Sequence, residues 1–302
     1  MRICERGVLR LVAPASTRPP TTSPVRVGVL NAECCDVPMT HLPDEYPLLV
    51  AKDFEAASLF TPANLLREAR RQKNLADVSV PAVCLLDPDG DIVRYLAATG
   101  RGRRHAGWAC YHTDMWIVDL DGIEVGLVGM AVGAPFAVLV AEQMAESGAK
   151  LVVSITSAGQ VSPVARTPCF VLITRALRDE GTSSHYVPPA RWSHLNEQLL
   201  ARLDGAFDQL PEPVLLGSSW TTDAPYRETA RAIDVAAAQE VACVEMEAAA
   251  LYAYATARGQ AVVCLAHITN TMAIAGDDFD KGTDNGVHDA LAVVRATAVV
   301  LS

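Results

Sequence analysis

Two acids stand at the head of an apolar run in VACVEMEAAALYAYA, residues 241–255, where Glu245 and Glu247 precede a stretch of Ala, Leu and Tyr. A run this apolar belongs in a core, and an ionised carboxylate taken there needs strong hydrogen-bond donors. The hydroxyls of a sugar are suitable donors, so one reading is a carboxylate that faces a ligand. The other is that acids in a first helical turn are stabilised by free N–H groups and the macrodipole, by about 0.3–1 kcal/mol each. The pattern predicts a helix over 245–258, on which two positions apart means about 200° of rotation, so the two acids cannot face one site. The expected division is that Glu247 faces the ligand while Glu245 lies on another side of the turn, as an N-terminal charge or a support for its neighbour.

Two further stretches can carry chemistry. In GMAVGAPFAVLVAEQM, residues 129–144, a strand ends at Gly133 and a helix starts near Pro135. That arrangement offers free amides to an anion or a hydroxyl, or is simply a tight turn with Pro at the first helical position. In SITSAGQ, residues 154–160, a buried strand gives way to small residues that can present backbone amides and the Ser157 hydroxyl.

Alternating elements are needed to position these segments. Strand-like runs are AVCLL (82–86), WIVDL (116–120), EVGLVGMAV (124–132), LVVSITS (151–157), CFVLITRA (169–176), VLLGSSW (214–220) and AVVCLAHITN (261–270). Helical patterns fall at 135–148, 191–206, 228–239, 245–258 and 287–301. Near-continuous β-branched strands between helices imply an α/β fold of three αβα layers around a mixed, largely parallel sheet, with ligands collecting at the strands' carboxyl ends. Residues 13–24, APASTRPPTTSP, make 1–24 a disordered or loosely attached arm. Residues 25–80 read as an N-terminal extension with a strand in VRVGVL and a helix over 63–73, and 81–302 as the main domain.

The chain has 302 residues, 50% of them hydrophobic, enough for a sizeable core. A net charge of −10 argues against nucleic acid and anionic lipid as partners. The eight cysteines are scattered without a CxxC pair or Cys/His cluster, so they read as reduced core thiols and no metal site is expected. The uncharged stretch from Val125 is shorter than the roughly 20 residues a spanning helix needs. With a poor secretory h-region at the N-terminus, the expectation is a cytoplasmic protein.

VEMEAAALYA resembles the signature helix of the nucleoside phosphorylase family, which includes uridine phosphorylase, hexameric purine nucleoside phosphorylase and the methylthioadenosine nucleosidases. The resemblance covers most of residues 82–302. GMAVGAPFAVLVAEQM resembles the family's Gly-rich segment, RDEGTSSHY at 178–186 a uridine phosphorylase stretch, and DAPY at 223–226 the family's Asp-x-Phe-Tyr motif. It implies an enzyme that cleaves the N-glycosidic bond of a nucleoside by phosphorolysis to free base and sugar 1-phosphate, without a cofactor, with phosphate as co-substrate, and as a homo-oligomer (dimer, trimer or hexamer). The catalytic residues implied are Glu247, accepting from the ribose hydroxyls, and Asn270, at the end of the strand that meets the base. Met246 packs on the sugar, Ser157 lies beside it, and Gly159 and His267 lie at the base.

The implied nucleophile region holds Gly133, Ser157, Asp89, Asp91 and Arg178. Phosphorolytic relatives place arginines at three points where this chain has Gly90 or Asp91, Tyr111 or His112, and Ser154; Arg94, Arg103 and Arg178 are the nearest substitutes. Hydrolytic relatives use an acid after the first strand, for which LLDPDGD offers Asp87, Asp89 and Asp91, or merely a DPDG turn. Alternatives to phosphorolysis are therefore hydrolysis by water and nucleoside binding without turnover. Neither the base nor the sugar is named by these motifs.

Overall fold

The computed structural model describes residues 52–164, 166–271 and 279–302. The arm expected over 1–24 and the strand expected in VRVGVL lie outside the described residues. The helix expected over 63–73 forms as α1 (Pro62–Lys73), where the Thr61 hydroxyl accepts from the Asn64 N–H at 3.2 Å and Asn74 closes the end in the left-handed region.

The long apolar runs become strands β1 (Val83–Asp87), β3 (Trp116–Leu120), β4 (Ile123–Gly129), β5 (Leu151–Gln160), β6 (Cys169–Asp179), β8 (Val214–Thr222) and β10 (Ala261–Asn270). Between them lie α3 (Ala134–Glu146), α5 (Ala230–Ala237), α6 (Ala248–Arg258) and α7 (Val287–Leu301). Four elements are additional: α2 (Asp91–Thr99) and the short strands β2 (Arg103–Arg104), β7 (Trp192–His194) and β9 (Cys243–Glu245). The helix expected over 191–206 shrinks to α4 (Glu197–Arg202), because Trp192–His194 pairs with β6 and Asn196 caps the shortened helix.

Parallel pairing joins β4, β1, β5 and β10 in that order, with β3 and β2 added antiparallel beyond β4. The other side of β10 pairs antiparallel with β6, which continues in parallel to β8 and β9. β9 then returns to β5 through Gly159 and Gln160. The sheet thus closes into a ring of β5, β10, β6, β8 and β9, with β1 to β4 as an open wing. α3 lies on β1 and β5 and packs against α1 and α6, while α7 contacts β4 and β5 and packs against α2 and α4. The three-layer mixed α/β expectation is borne out, and the ring is a refinement of it.

β10 is buried from Val262 to Asn270, as the apolar run Val262–Ala266 suits in a strand with neighbours on both sides. A fully buried Leu or Val there stabilises by about 1.5–3 kcal/mol. α6 is tied to two strands by Tyr252, whose hydroxyl donates to the Ile173 carbonyl at 2.6 Å and accepts from the Cys264 N–H at 3.0 Å. Those bonds satisfy the one polar atom of a ring that is otherwise core.

Candidate active site

A cavity of about 390 Å³ opens where β1, β5, β9 and β10 end, at their carboxyl sides. Asp89, Ser157, Gly159, Met246, Glu247 and Asn270 line it, together with Glu228, Tyr226 and Phe279. Six residues expected at a site from the sequence are therefore brought together, Ser157, Gly159 and Asn270 from the last residues of β5 and β10, and Asp89, Met246 and Glu247 from the turns that follow β1 and β9.

The two acids do not share a helical turn, which corrects the expected helix over 245–258. Glu245 ends β9, and Glu247 is the residue just before α6, with φ −131° and ψ −38°. Pairing of β9 with both β8 and β5 overrides the helical pattern of the sequence. One Glu245 oxygen accepts from the backbone N–H groups of Glu247 and Ala248, each at 2.7 Å, so it caps α6 from the preceding strand. The other accepts from the hydroxyls of Ser219, at 2.9 Å, and Thr221. Glu245 is a buried acid satisfied by four donors.

Glu247 is 1% exposed and has fewer donors. Its Oε1 accepts from the Gly133 N–H at 2.7 Å and its Oε2 from the Met246 N–H at 3.3 Å. Gly133 has φ +87° and ψ 149°, a conformation open to glycine, and this aims its amide at the carboxylate. Burial pushes both carboxyls up. At Glu245 the four donors oppose that effect, whereas at Glu247 the Glu245 charge adds to it and raises the carboxyl to about 8 despite help from Gly133, Thr156 and Met246.

That shift has a testable sign. A carboxylate that accepts from sugar hydroxyls must be ionised, and the ionised fraction of Glu247 grows about tenfold per pH unit below its pKa. We expect kcat/KM for a nucleoside to rise with pH and level off near pH 8, reporting the free enzyme. A profile unchanged by Glu247→Gln between pH 6 and 9 would remove Glu247 as its source.

At the carboxyl ends of β1 and β5, the Asp89 carboxylate accepts from the Ser157 N–H and the Ser157 hydroxyl, each at 2.9 Å. Lys281 reaches Asp89 at 3.2 Å and Asp91 at 2.6 Å. Burial works against the Lys281 ammonium, but the two aspartates outweigh it and keep it protonated. Asp91 also receives Arg94 at 2.7 Å, and these cations hold its carboxyl below the usual value although burial pushes it up. Asp87 is a structural acid: it accepts from the Gly90 and Val93 N–H groups at the start of α2, and burial raises it to about 6.

Three expected placements are corrected. Arg178 spends its guanidinium on the Ser183 hydroxyl at 2.7 Å and the Pro188 carbonyl at 2.8 Å, away from the cavity wall. His267 stacks on Phe170 with ring centroids 4.5 Å apart, and burial, followed by the Lys281 charge, lowers it to about 4. It is a neutral core histidine and does not line the cavity. Arg103 pairs with Glu124 at 2.6 Å on the sheet's outer edge. Sequence reasoning missed Lys281 and Glu228; the latter lines the cavity, and burial raises its carboxyl. Among the described residues, no cluster of His, Cys, Asp or Glu could hold a metal ion, and no helix is long and apolar enough to cross a membrane.

A pocket at the strand ends of an α/β sheet, lined here by a buried carboxylate, is where this fold class places a small-molecule site. The chain belongs to the phosphorylase superfamily, whose family model matches residues 88–302. It is 24% identical over 165 residues to a guanosine phosphorylase of Halorubrum lacusprofundi, covering 55% of this chain and 67% of that protein. The crystal structure of a Toxoplasma gondii purine nucleoside phosphorylase in complex with immucillin-H superposes with a TM-score of 0.62 at 17% identity, covering 74% of this chain and 91% of the other. The expected nucleoside phosphorylase-like fold and enzyme class are borne out.

Proposed function

We propose that the protein cleaves a purine ribonucleoside by phosphorolysis, giving free base and sugar 1-phosphate. The observation that carries this is the Glu247 carboxylate, buried, aimed by Gly133 and lining the cavity. As the bond from C1′ to the base nitrogen lengthens, positive charge spreads over the sugar ring, and a carboxylate gripping the ribose hydroxyls favours that state. A phosphate oxygen attacks C1′ from the opposite face, the C1′–N electron pair leaves with the base, and the base nitrogen takes up the proton that the hydrogen phosphate gives up, carried between them by water. Met246 packs on the sugar.

The names of the two relatives support a 6-oxopurine as the base. Such a base offers a carbonyl to the Asn270 amide donor, and its ring N–H to a carboxylate such as Glu228. No cofactor is needed for this chemistry. The exposed Tyr226 and Phe279 at the cavity mouth, 99% and 64% exposed, support a homo-oligomer in which a neighbouring subunit covers the opening. A cytoplasmic location fits a salvage reaction and the five buried, unpaired cysteines of the described residues.

The test is a panel of nucleosides incubated with and without phosphate, followed by chromatography for base and sugar 1-phosphate. Guanosine and inosine should give equal amounts of both products only when phosphate is present. Base release at the same rate without phosphate would sink phosphorolysis.

A further inference from the structure

Ser157 and Lys281 converge on a place that suits an anion, and the chain's own Asp89 occupies it. The two carboxylate oxygens take the Ser157 N–H and hydroxyl separately, at 2.9 Å each, and one of them also meets the Lys281 ammonium at 3.2 Å. Two oxygens on one centre, each with its own donor and a cation beside them, is how a tetrahedral oxyanion is held. Asp89 is not required for the turn it sits in, because Asp87 supplies the capping bonds to Gly90 and Val93. Its side chain is 29% exposed and faces the cavity, so it has somewhere to go.

We propose that the Ser157 N–H, the Ser157 hydroxyl and the Lys281 ammonium form the seat of the attacking oxyanion, and that Asp89, by filling that seat, sets how tightly the oxyanion binds. The proposal rests on the phosphorolysis reading above and names the cation that takes the place of the missing arginines. Lys281 keeps its position when Asp89 leaves, because Asp91 holds it at 2.6 Å and is itself braced by Arg94. In the resting state two aspartates face two cations. A dianion entering with Asp89 still seated would set like charges in contact, so Asp89 must swing out. The affinity for phosphate is then the intrinsic affinity multiplied by the fraction of molecules with the seat vacant.

The experiment is calorimetric titration of the whole protein with inorganic phosphate, paired with initial rates at varied phosphate. Asp89→Ala should bind phosphate at least about tenfold more tightly than the wild type, with a matching fall in the KM for phosphate. Lys281→Met should weaken phosphate binding by about tenfold or more. Asp89→Asn serves as a second variant if the Ala protein does not melt cooperatively. Asp89 variants that bind phosphate no more tightly than the wild type overturn the proposal. Calorimetry keeps this separate from the reading it rests on. If base release ignores phosphate yet Asp89→Ala gains phosphate affinity, phosphorolysis falls and the seat stands; if Asp89→Ala gains no phosphate affinity and loses turnover, the proposal is overturned and Asp89 handles water.

Discussion

Replacing Glu247 with Gln lowers kcat/KM for guanosine or inosine by about 100-fold, close to 2.7 kcal/mol of lost transition-state stabilisation, while the melting temperature stays near that of the wild type. The amide keeps the shape and can still accept from Gly133, whose N–H lies 2.7 Å from the carboxylate. What it loses is the negative charge at a buried position, where charge beside an oxocarbenium-like sugar counts most. The loss should fall mainly on kcat, because neutral hydrogen bonds to the ribose hydroxyls survive in the ground state. Steady-state kinetics on the purified variant checks this. A Gln variant within about threefold of wild type would mean that the carboxylate does not meet the sugar.

The second large effect is on stability. Glu245→Ala should cost about 3 kcal/mol or more, because it strands the Ser219 and Thr221 hydroxyls and the N–H groups of Glu247 and Ala248 in a dry interior. For a chain of this size that corresponds to a fall in melting temperature on the order of 5 °C. Glu245→Gln should recover only part of it, since its NH₂ group meets donors where the carboxylate met them. Thermal denaturation followed by circular dichroism would decide the matter, and a melt within about 1 °C of wild type would show that the four donors find other partners. The pair of acids thus separates into one whose removal is felt in catalysis and one whose removal is felt in folding.

How far the sequence foretold this differs from element to element. WIVDL, AVVCLAHITN and the helix over 287–301 form with the expected bounds, because each is a mainly apolar run flanked on one side by a turn residue with positive φ, Asp121, Gly259 and Gly286 respectively. β9 was invisible: it is three residues long, and its partners Gly159 and Ser219 are remote in the chain or lie on another strand. Its absence from the pattern is why Glu245 read as helical. In the site, Glu247 and Ser157 were legible from their apolar or small-residue settings, whereas Met246, Gly159, Asn270 and Asp89 were reached through the resemblance of their segments to the nucleoside phosphorylase family. Lys281 was not, since DDFDKGTDNG reads as a solvated acidic loop, and its ion pairs are with Asp89 and Asp91, far earlier in the chain.

The closed ring of strands has a consequence for how the pocket comes into being. β9 lies between β8 and β5, and its last residue holds the start of the helix that presents Glu247. The sugar-facing carboxylate is therefore set at the seam where the ring closes. Pairing of distant segments is slow, because the chain must surrender loop entropy before any contact rewards it. A molecule with its helices and open wing in place but the seam unsewn would look nearly native by its secondary structure and have no place for a ribose. Competence is in that sense a property of the closed ring and not of any one strand or helix in it.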